Sequence, residues 1–192
     1  MESITVQFNL AEENAVIQLS HLESAIEREP SLINLQLIGP SVMASDKALL
    51  LYDALMQRSP KTRLITYARS CLLDASVLLW LAGDERRIRE TTWIQMDSLE
   101  RLLDTEPWKS PEAARRRSIS KFVTEPAWVT DYRTASRILN EYLPLEEVAD
   151  RPIYKAELDE MGLLSKSGEE MILSKLFQGD KNGDSKICNP FL

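Results

Sequence analysis

The sequence has one histidine, two cysteines and no apolar run approaching the roughly 18 residues of a membrane span. Cys71 and Cys188 lie far apart and lack metal-ligand spacing, which excludes a disulfide framework and a zinc site. The missing signal peptide and membrane run predict a cytoplasmic protein. A net charge of -7, from 30 acidic and 23 basic side chains, argues against nucleic acid or a membrane surface as the main partner.

The composition fits one folded domain. Apolar residues make up 44% of the 192 residues, which is enough for one substantial core. We predict a single domain over residues 1–178 and a flexible polar tail over 179–192. The tail contains DKNGDSKI, which begins like an EF-hand calcium loop but has Phe191 where that loop requires a glutamate. We therefore expect no metal and no cofactor.

Apolar periodicity alternates between strands and helices along the first half of the chain. Alternating or continuous apolar residues predict strands near 4–10, 32–38, 63–68 and 91–96. Helical spacing predicts helices at 12–29, 45–58 and 75–82. The apolar stripe expected for the second helix consists of Leu49, Leu51, Leu55 and Met56. This alternation predicts an α/β fold with a largely parallel sheet covered on both faces.

The second half of the chain is mainly helical by its pattern. Further helices are predicted near 99–104, 111–123 and 128–142, and a short strand at 151–154. The two stretches EPWKSPEAARRRS and EPAW interrupt this part with proline and tryptophan. They look like insertions within a helical segment.

Asp74 stands at the head of an otherwise apolar helix. In residues 75–82 only Ser76 is polar, and Gly83 ends the run, so the helix is predicted to be buried nearly all round. The ordinary role of an aspartate at such a position is an N-cap that accepts the N–H of Ser76 or Val77. This role predicts a pKa below the usual value of about 3.9, unless desolvation outweighs the cap.

The order of these elements resembles the proteolytic subunit of Clp protease and the wider crotonase-like superfamily. The resemblance consists of a glycine turn followed by SV, a helix containing LLLYDALM, a strand, and a buried helix ending in LAGDERR. It extends over 4–97 and again over 151–164, where YKAELDEMGLL is similar to the closing helix and glycine turn of that family. The segment 98–147 diverges. The resemblance implies repeated strand-helix units with a largely parallel sheet, followed by a helical segment.

The resemblance also implies where an active site would lie and which of its parts are replaced. In that family a serine nucleophile lies nine residues before the glycine of the LAG ending, a position occupied here by Asp74. The histidine of the family lies at the end of the next strand, where this chain has Met96 and Asp97. The acidic third member could be supplied by Glu146 or Asp150.

The oxyanion hole of the family uses backbone N–H groups of a double-glycine turn. The corresponding turn here is Gly39 followed by Pro40, and proline has no N–H to donate. In serine hydrolases the loss of one oxyanion donor costs about 3 to 4 kcal/mol, and the loss of the nucleophile or base lowers the rate about a millionfold. The resemblance implies that nucleophile, base and donor are all replaced here, so protease chemistry is not expected.

Three functions are compatible with the sequence. The first is a catalytically inactive Clp-protease-like protein that acts in assembly or partner binding. Because related folds usually work as rings, trimers or stacked rings, it is expected to form a homo-oligomer and to bind protein rather than nucleic acid or membrane. The second is a crotonase-type acid/base enzyme that uses Asp74 and Asp97 on an acyl-CoA-like substrate. The third is a serine-type peptidase with its nucleophile moved to Ser70, Cys71 or Ser76.

Overall fold

The strands form two sheets in the computed structural model, which describes residues 2–9, 15–39, 41–104 and 127–165. The larger sheet is entirely parallel and contains, in order, β1 (Ser3–Asn9), β2 (Leu32–Ile38), β4 (Arg63–Ala68) and β6 (Glu85–Ile88). The smaller sheet contains, in order, β3 (Ser41–Val42), β5 (Leu72–Leu73), β7 (Trp93–Gln95) and β8 (Ile153–Tyr154). Only the pairing of β7 with β8 is antiparallel in these two sheets.

Helices connect the strands and follow them. The first two are α1 (Ala15–Glu27) and α2 (Ser45–Met56). A 3-10 helix (Asp74–Ser76) runs directly into α3 (Val77–Leu81). The remaining helices are α4 (Leu99–Asp104), α5 (Ala127–Asn140), α6 (Leu145–Val148) and α7 (Lys155–Glu160).

The chain repeats a unit of two strands and a helix. β2-β3-α2, β4-β5-α3 and β6-β7-α4 each place one strand in the larger sheet and a short strand in the smaller one. The mixed α/β architecture and the largely parallel sheet agree with the prediction. The short strands β3 and β5 were not predicted, because two residues are too few to show a periodicity.

The fourth predicted strand lies in a different sheet from the first three. The predicted strands near 4–10, 32–38 and 63–68 correspond to β1, β2 and β4. The strand predicted at 91–96 corresponds to β7, which belongs to the smaller sheet. The fourth strand of the larger sheet is β6, with the sequence ERRI, whose charged residues do not suggest a strand. Its Glu85 carboxylate is stabilised by Arg63 and Arg87.

The helix after Asp74 is buried on all sides, as predicted. All five residues of α3 are at most 2% exposed, including Trp80, whose Nε1 donates to the carbonyl of Arg87 over 3.0 Å. The hydroxyl of Thr66 in β4 donates to the carbonyl of Trp80 over 2.7 Å. Gly83 follows this helix, and the position requires glycine because a Cβ there would lie 2.3 Å from Oγ1 of Thr66.

The predicted stripe of α2 is partly wrong. Leu51 and Leu55 are buried, but Met56 is 50% exposed. Ala48 and Tyr52 are buried on the same helix. The buried residues are three or four positions apart and share one face, whereas Met56 is the last residue of the helix and lies at the edge of that face.

The helical second half is described in part. The helix predicted at 99–104 has the bounds of α4, and the one predicted at 128–142 corresponds to α5. The helix predicted at 111–123, the proposed end of the domain at 178 and the tail 179–192 lie outside the described residues. None of the helices that the structure describes is both long and apolar enough to cross a membrane.

Candidate functional site

The smaller sheet brings Asp74 and Asp97 together. β5 and β7 are parallel with Leu73 opposite Gln95, so the chain leaves both strands at the same edge of the sheet. Asp74 follows β5 directly, and Asp97 comes two residues after Gln95. The N–H of Asp97 donates to Oδ1 of Asp74 over 2.8 Å. The two aspartates that the sequence analysis placed at one site are therefore in direct contact.

Asp150 reaches the same edge from the opposite direction. β8 runs antiparallel to β7, so residues shortly before β8 lie beside those shortly after β7. The N–H of Asp150 donates to the carbonyl of Met96 over 2.8 Å, and its Oδ1 accepts the N–H of Ser98 over 2.7 Å. Asp150, rather than Glu146 on α6, therefore joins Asp74 and Asp97.

Two of these aspartates have left-handed backbone conformations. Asp74 has a φ of 50° and Asp150 a φ of 66°. Aspartate tolerates this region better than most residues, but such conformations persist only where the surrounding contacts hold them. The hydrogen bonds between Asp74, Asp97 and Asp150 and their neighbours supply contacts of this kind.

One cation lies beside two of the carboxylates. Nη1 of Arg101 on α4 is 3.5 Å from Oδ1 of Asp97, 3.8 Å from Oδ1 of Asp150 and 3.0 Å from the carbonyl oxygen of Asp150. Nε2 of Gln95 donates to Oδ1 of Asp97 over 2.8 Å. We call Asp74, Asp97, Asp150 and Arg101 the carboxylate cluster. Within the described residues, this cluster contains three carboxyl groups and one guanidinium.

Tyr132 connects α5 to the carboxylate cluster. Its side chain is only 7% exposed, and its hydroxyl donates to the carbonyl oxygen of Asp97. Burial, with a further contribution from the charge of Asp74, raises the pKa of Tyr132 to about 12. The phenol is therefore a neutral hydrogen-bond donor at physiological pH.

The electrostatic environment of Asp74 overturns the predicted direction of its pKa. Burial raises the pKa of this carboxyl above its ordinary value, and the charges of Asp97 and Asp150 raise it further. The N–H of Asp97 and the guanidinium of Arg101 act in the opposite direction but do not outweigh the rise. The pKa is raised rather than lowered because desolvation, the exception stated with that prediction, is the largest contribution.

The predicted capping bond of Asp74 is also wrong. The backbone N–H that Asp74 accepts belongs to Asp97, on another segment, and not to Ser76 or Val77. Ser76 closes the turn instead. Its buried hydroxyl accepts the N–H of Leu73 over 3.0 Å and donates to the carbonyl of Leu73 over 2.6 Å.

The glycine turn has no spare donor at Gly39. Gly39 has a φ of 88°, and its N–H donates to the hydroxyl oxygen of Ser70 over 3.0 Å. Pro40 lies outside the described residues, and as a proline it has no N–H. The expected oxyanion donor on Gly39 is thus already bonded within the protein.

The proposed substitute nucleophiles lie in settings without an imidazole. Ser70 and Ser76 are engaged with Gly39 and Leu73, and Cys71 is half-buried. The one histidine of the sequence, His21, is exposed on α1, which packs against β1 and α2. A serine or cysteine nucleophile requires a general base, and the sequence has no second histidine to serve as one.

The sequence analysis missed Arg101 and Tyr132. Both lie in the segment 98–147, where the resemblance offers no guide. Arg101 follows Asp97 by four residues, a spacing that places charges side by side on a helix, and this was the one signal available for it. Tyr132 carries no such signal, because a tyrosine on a helical apolar face is ordinary core.

The cluster is not arranged as a metal centre. Among the residues described by the structure, no group of three or more histidine, cysteine, aspartate or glutamate side chains could hold a metal ion. Arg101 already lies against two of the carboxylates. The arrangement favours a proton on Asp74, and its hydrogen bonds tie the segment after β7 to Asp74 and Asp150.

Comparison with known proteins identifies the fold. No protein-family model matches the chain, and no curated protein matches it. Among solved structures, the ClpP protease catalytic domain from Plasmodium falciparum aligns with a TM-score of 0.51 and 12% identity over 86% of each chain. A mutant of ClpP1 from Listeria monocytogenes aligns with a TM-score of 0.54 and 12% identity, over 88% of this chain and 94% of that one. The chain therefore has a fold similar to that of ClpP proteolytic subunits.

Proposed function

We propose that the protein is a catalytically inactive member of the Clp-like fold that acts in assembly or in binding a protein partner. The observation that supports this most directly is the carboxylate cluster itself. The sequence resemblance assigns Asp74 to the position of the family's serine, and Asp74 accepts the N–H of Asp97 there. A carboxylate there cannot form a useful acyl-enzyme from a peptide, because the resulting anhydride is far more reactive than the amide.

The glycine turn supports the same proposal. The N–H of Gly39 is bonded to Ser70, and Pro40 has none. Since each missing oxyanion donor costs about 3 to 4 kcal/mol of transition-state stabilisation, the turn would contribute little to acyl transfer. We propose that the fold is used as a scaffold and that the protein assembles into a homo-oligomer.

Peptidase assays with fluorogenic peptides test the catalytic part. The wild type should show no turnover above that of Asp74→Ala. A matched control is Asp159→Ala, which changes an exposed aspartate on α7. Turnover that Asp74→Ala abolishes and Asp159→Ala retains would overturn the proposal. Light scattering tests the assembly part: the mass should correspond to two or more copies of the 21.9 kDa chain, and a monomer would contradict it.

A second candidate is a crotonase-type acid/base enzyme, favoured by one observation. Burial raises the pKa of Asp74, and the backbone N–H of Asp97 bonds to it, so the two carboxyl groups that such an enzyme would use belong to neighbouring segments of one site. The bonded N–H of Gly39 weighs against it, because a thioester oxygen needs free donors.

Deuterium exchange at the carbon next to a thioester distinguishes the two candidates. The protein would be incubated with a short acyl-CoA in deuterated water and followed by NMR. Exchange that disappears in Asp74→Asn but persists in Asp159→Asn would favour the enzyme. No exchange in the wild type would favour the inactive scaffold.

A further inference from the structure

The larger sheet contributes to the hydrophobic core through one of its faces. Side chains alternate between the two faces of a strand, and Ile33, Leu35 and Leu37 of β2 are buried on the face that packs against α1, α2 and α3. Leu64 and Ala68 of β4 are opposite Ile33 and Leu37 and share this face. The intervening residues of both strands therefore point to the other side of the sheet.

That other side bears Leu32 and Ile38 of β2 and Ile65 and Tyr67 of β4, and we call it the outer face. These four side chains are half-buried and lie outside the hydrophobic core. A parallel sheet normally has both of its faces covered, because its strands are apolar on both sides. In the described part of the chain, α1, α2 and α3 cover the core side. The outer face thus requires a further cover.

The outer face is positively charged towards β6. Arg63 of β4 and Arg87 of β6 lie on it by the parallel register, and both contact the carboxylate of Glu85. Arg69, directly after β4, donates from Nη1 to Oε1 of Gln36 in β2 over 3.1 Å. In a chain with a net charge of -7, these guanidinium groups make the outer face complementary to an acidic segment.

The described part of the chain ends beside β6, at the border of the outer face. The N–H of Ser165 donates to the carbonyl of Arg86 over 3.1 Å, and the N–H of Arg86 donates to Oγ of Ser165 over 3.0 Å. β6 is the last strand of the larger sheet, so these bonds lie along its edge. Residues 166–192 therefore continue from this edge.

The sequence after Ser165 has the pattern of an amphipathic helix. Ser167 and Glu170 have the spacing of a capping box, and Gly179 has the position of a C-terminal stop. Glu169 and Glu170 place negative charge in the first turn. Four apolar residues share one side of such a helix, namely Ile172, Leu173, Leu176 and Phe177.

We propose that residues 168–178 form an amphipathic helix that packs on the outer face of the same chain. Its apolar side lies over Ile65 and Tyr67, and its acidic first turn lies beside Arg87. The helix gives the parallel sheet its second cover and agrees with a domain that extends to residue 178. This inference concerns the fold of the chain and does not rest on the proposed function.

The distances allow this placement. The proposed helix would be about 16 Å long. The sheet measures about 14 Å from β6 to β1. The two residues between Ser165 and the helix span up to about 7 Å. A connection this short favours the outer face of the same chain over that of a second copy.

Photo-cross-linking on the full chain tests the proposal. Tyr67 would be replaced by p-benzoylphenylalanine, and trypsin would release residues 167–175 and 176–181 as separate peptides after irradiation. The reporter should cross-link to one of these peptides within a single chain. The control is the same reporter at Tyr154, which is 57% exposed on β8 of the smaller sheet and should not label them. Cross-links from position 67 only to other peptides, a covalent dimer or no cross-link would overturn the proposal.

Two matched variants test the orientation of the helix. Leu176→Asp places a charge on the apolar side and removes a buried leucine, which should weaken docking by roughly tenfold or more and lower the cross-link yield from position 67. Ser174→Asp adds the same charge on the opposite side and should keep the yield. Equal yields in the two variants would show that the apolar side does not contact the outer face, and would refute the proposal.

Discussion

Replacing Asp74 by asparagine should stabilise the protein at neutral pH. Asparagine keeps the shape of the side chain, its Oδ1 can still accept the N–H of Asp97, and it tolerates a φ of 50°. It removes a charge that burial and the carboxylates of Asp97 and Asp150 oppose. The substitution thus retains the hydrogen bond and deletes the electrostatic penalty.

The sign of the pH dependence follows from the raised pKa. A carboxyl whose pKa is higher in the folded than in the unfolded state binds its proton more tightly when folded, so wild-type stability falls as pH rises between the two values. Each unit between them corresponds to about 1.36 kcal/mol. For a chain of this size, 1 kcal/mol moves the melting temperature by about 2 to 4 °C. The advantage of Asp74→Asn should be full above the folded pKa and vanish near the unfolded value of about 3.9.

Thermal unfolding of both proteins at pH 7 and near pH 4 measures this difference. Asp159→Asn serves as the control, because its exposed carboxyl should show no comparable gain. A variant that is less stable than the wild type at pH 7 would show that the bond from Asp97 requires the ionised carboxylate. An equal difference at both pH values would show that the effect does not come from the charge of Asp74.

Three further outcomes are expected. Gly83→Ala should destabilise the fold by roughly 1 to 3 kcal/mol, since its Cβ would lie 2.3 Å from Oγ1 of Thr66; a melting temperature equal to that of the wild type would contradict this contact. Tyr132→Phe should cost roughly 1 to 3 kcal/mol in denaturant unfolding, because it removes the donor to the carbonyl of Asp97, and an unchanged midpoint would argue against that bond. Asp74→Ser should fold yet fail to cleave fluorogenic peptides, because no imidazole lies beside it; cleavage would reveal a base that is not a histidine.

Local pattern was sufficient for the parts of the fold that have long, regular elements. The alternation in β1 and the apolar runs of β2 and β4 predicted three strands of the larger sheet, because side-chain burial in a long strand follows the period of the backbone. The apolar run that ends at Gly83 predicted the buried helix because a helix without a polar face has to be covered on all sides. The order of these elements also carried the resemblance to a Clp-like fold.

Tertiary structure decided the rest, because the deciding contacts join distant segments. The strand β6 has the sequence ERRI. Its Glu85 can be buried because it forms salt bridges with Arg63 and Arg87. No local sequence pattern indicates these pairings. The strands β3 and β5 consist of two residues each, too few for a period.

The chemistry of the site depends on the smaller sheet. The sequence analysis named Asp74, Asp97 and Asp150 one by one, but the parallel pairing of β5 with β7 and the antiparallel pairing of β8 are what bring them to one edge. Once they are together, desolvation and mutual repulsion outweigh the donated N–H, and the pKa of Asp74 rises instead of falling. The sequence determined which groups can titrate, and the three-dimensional arrangement determined the direction, because a pKa responds to burial and to neighbouring charges in space.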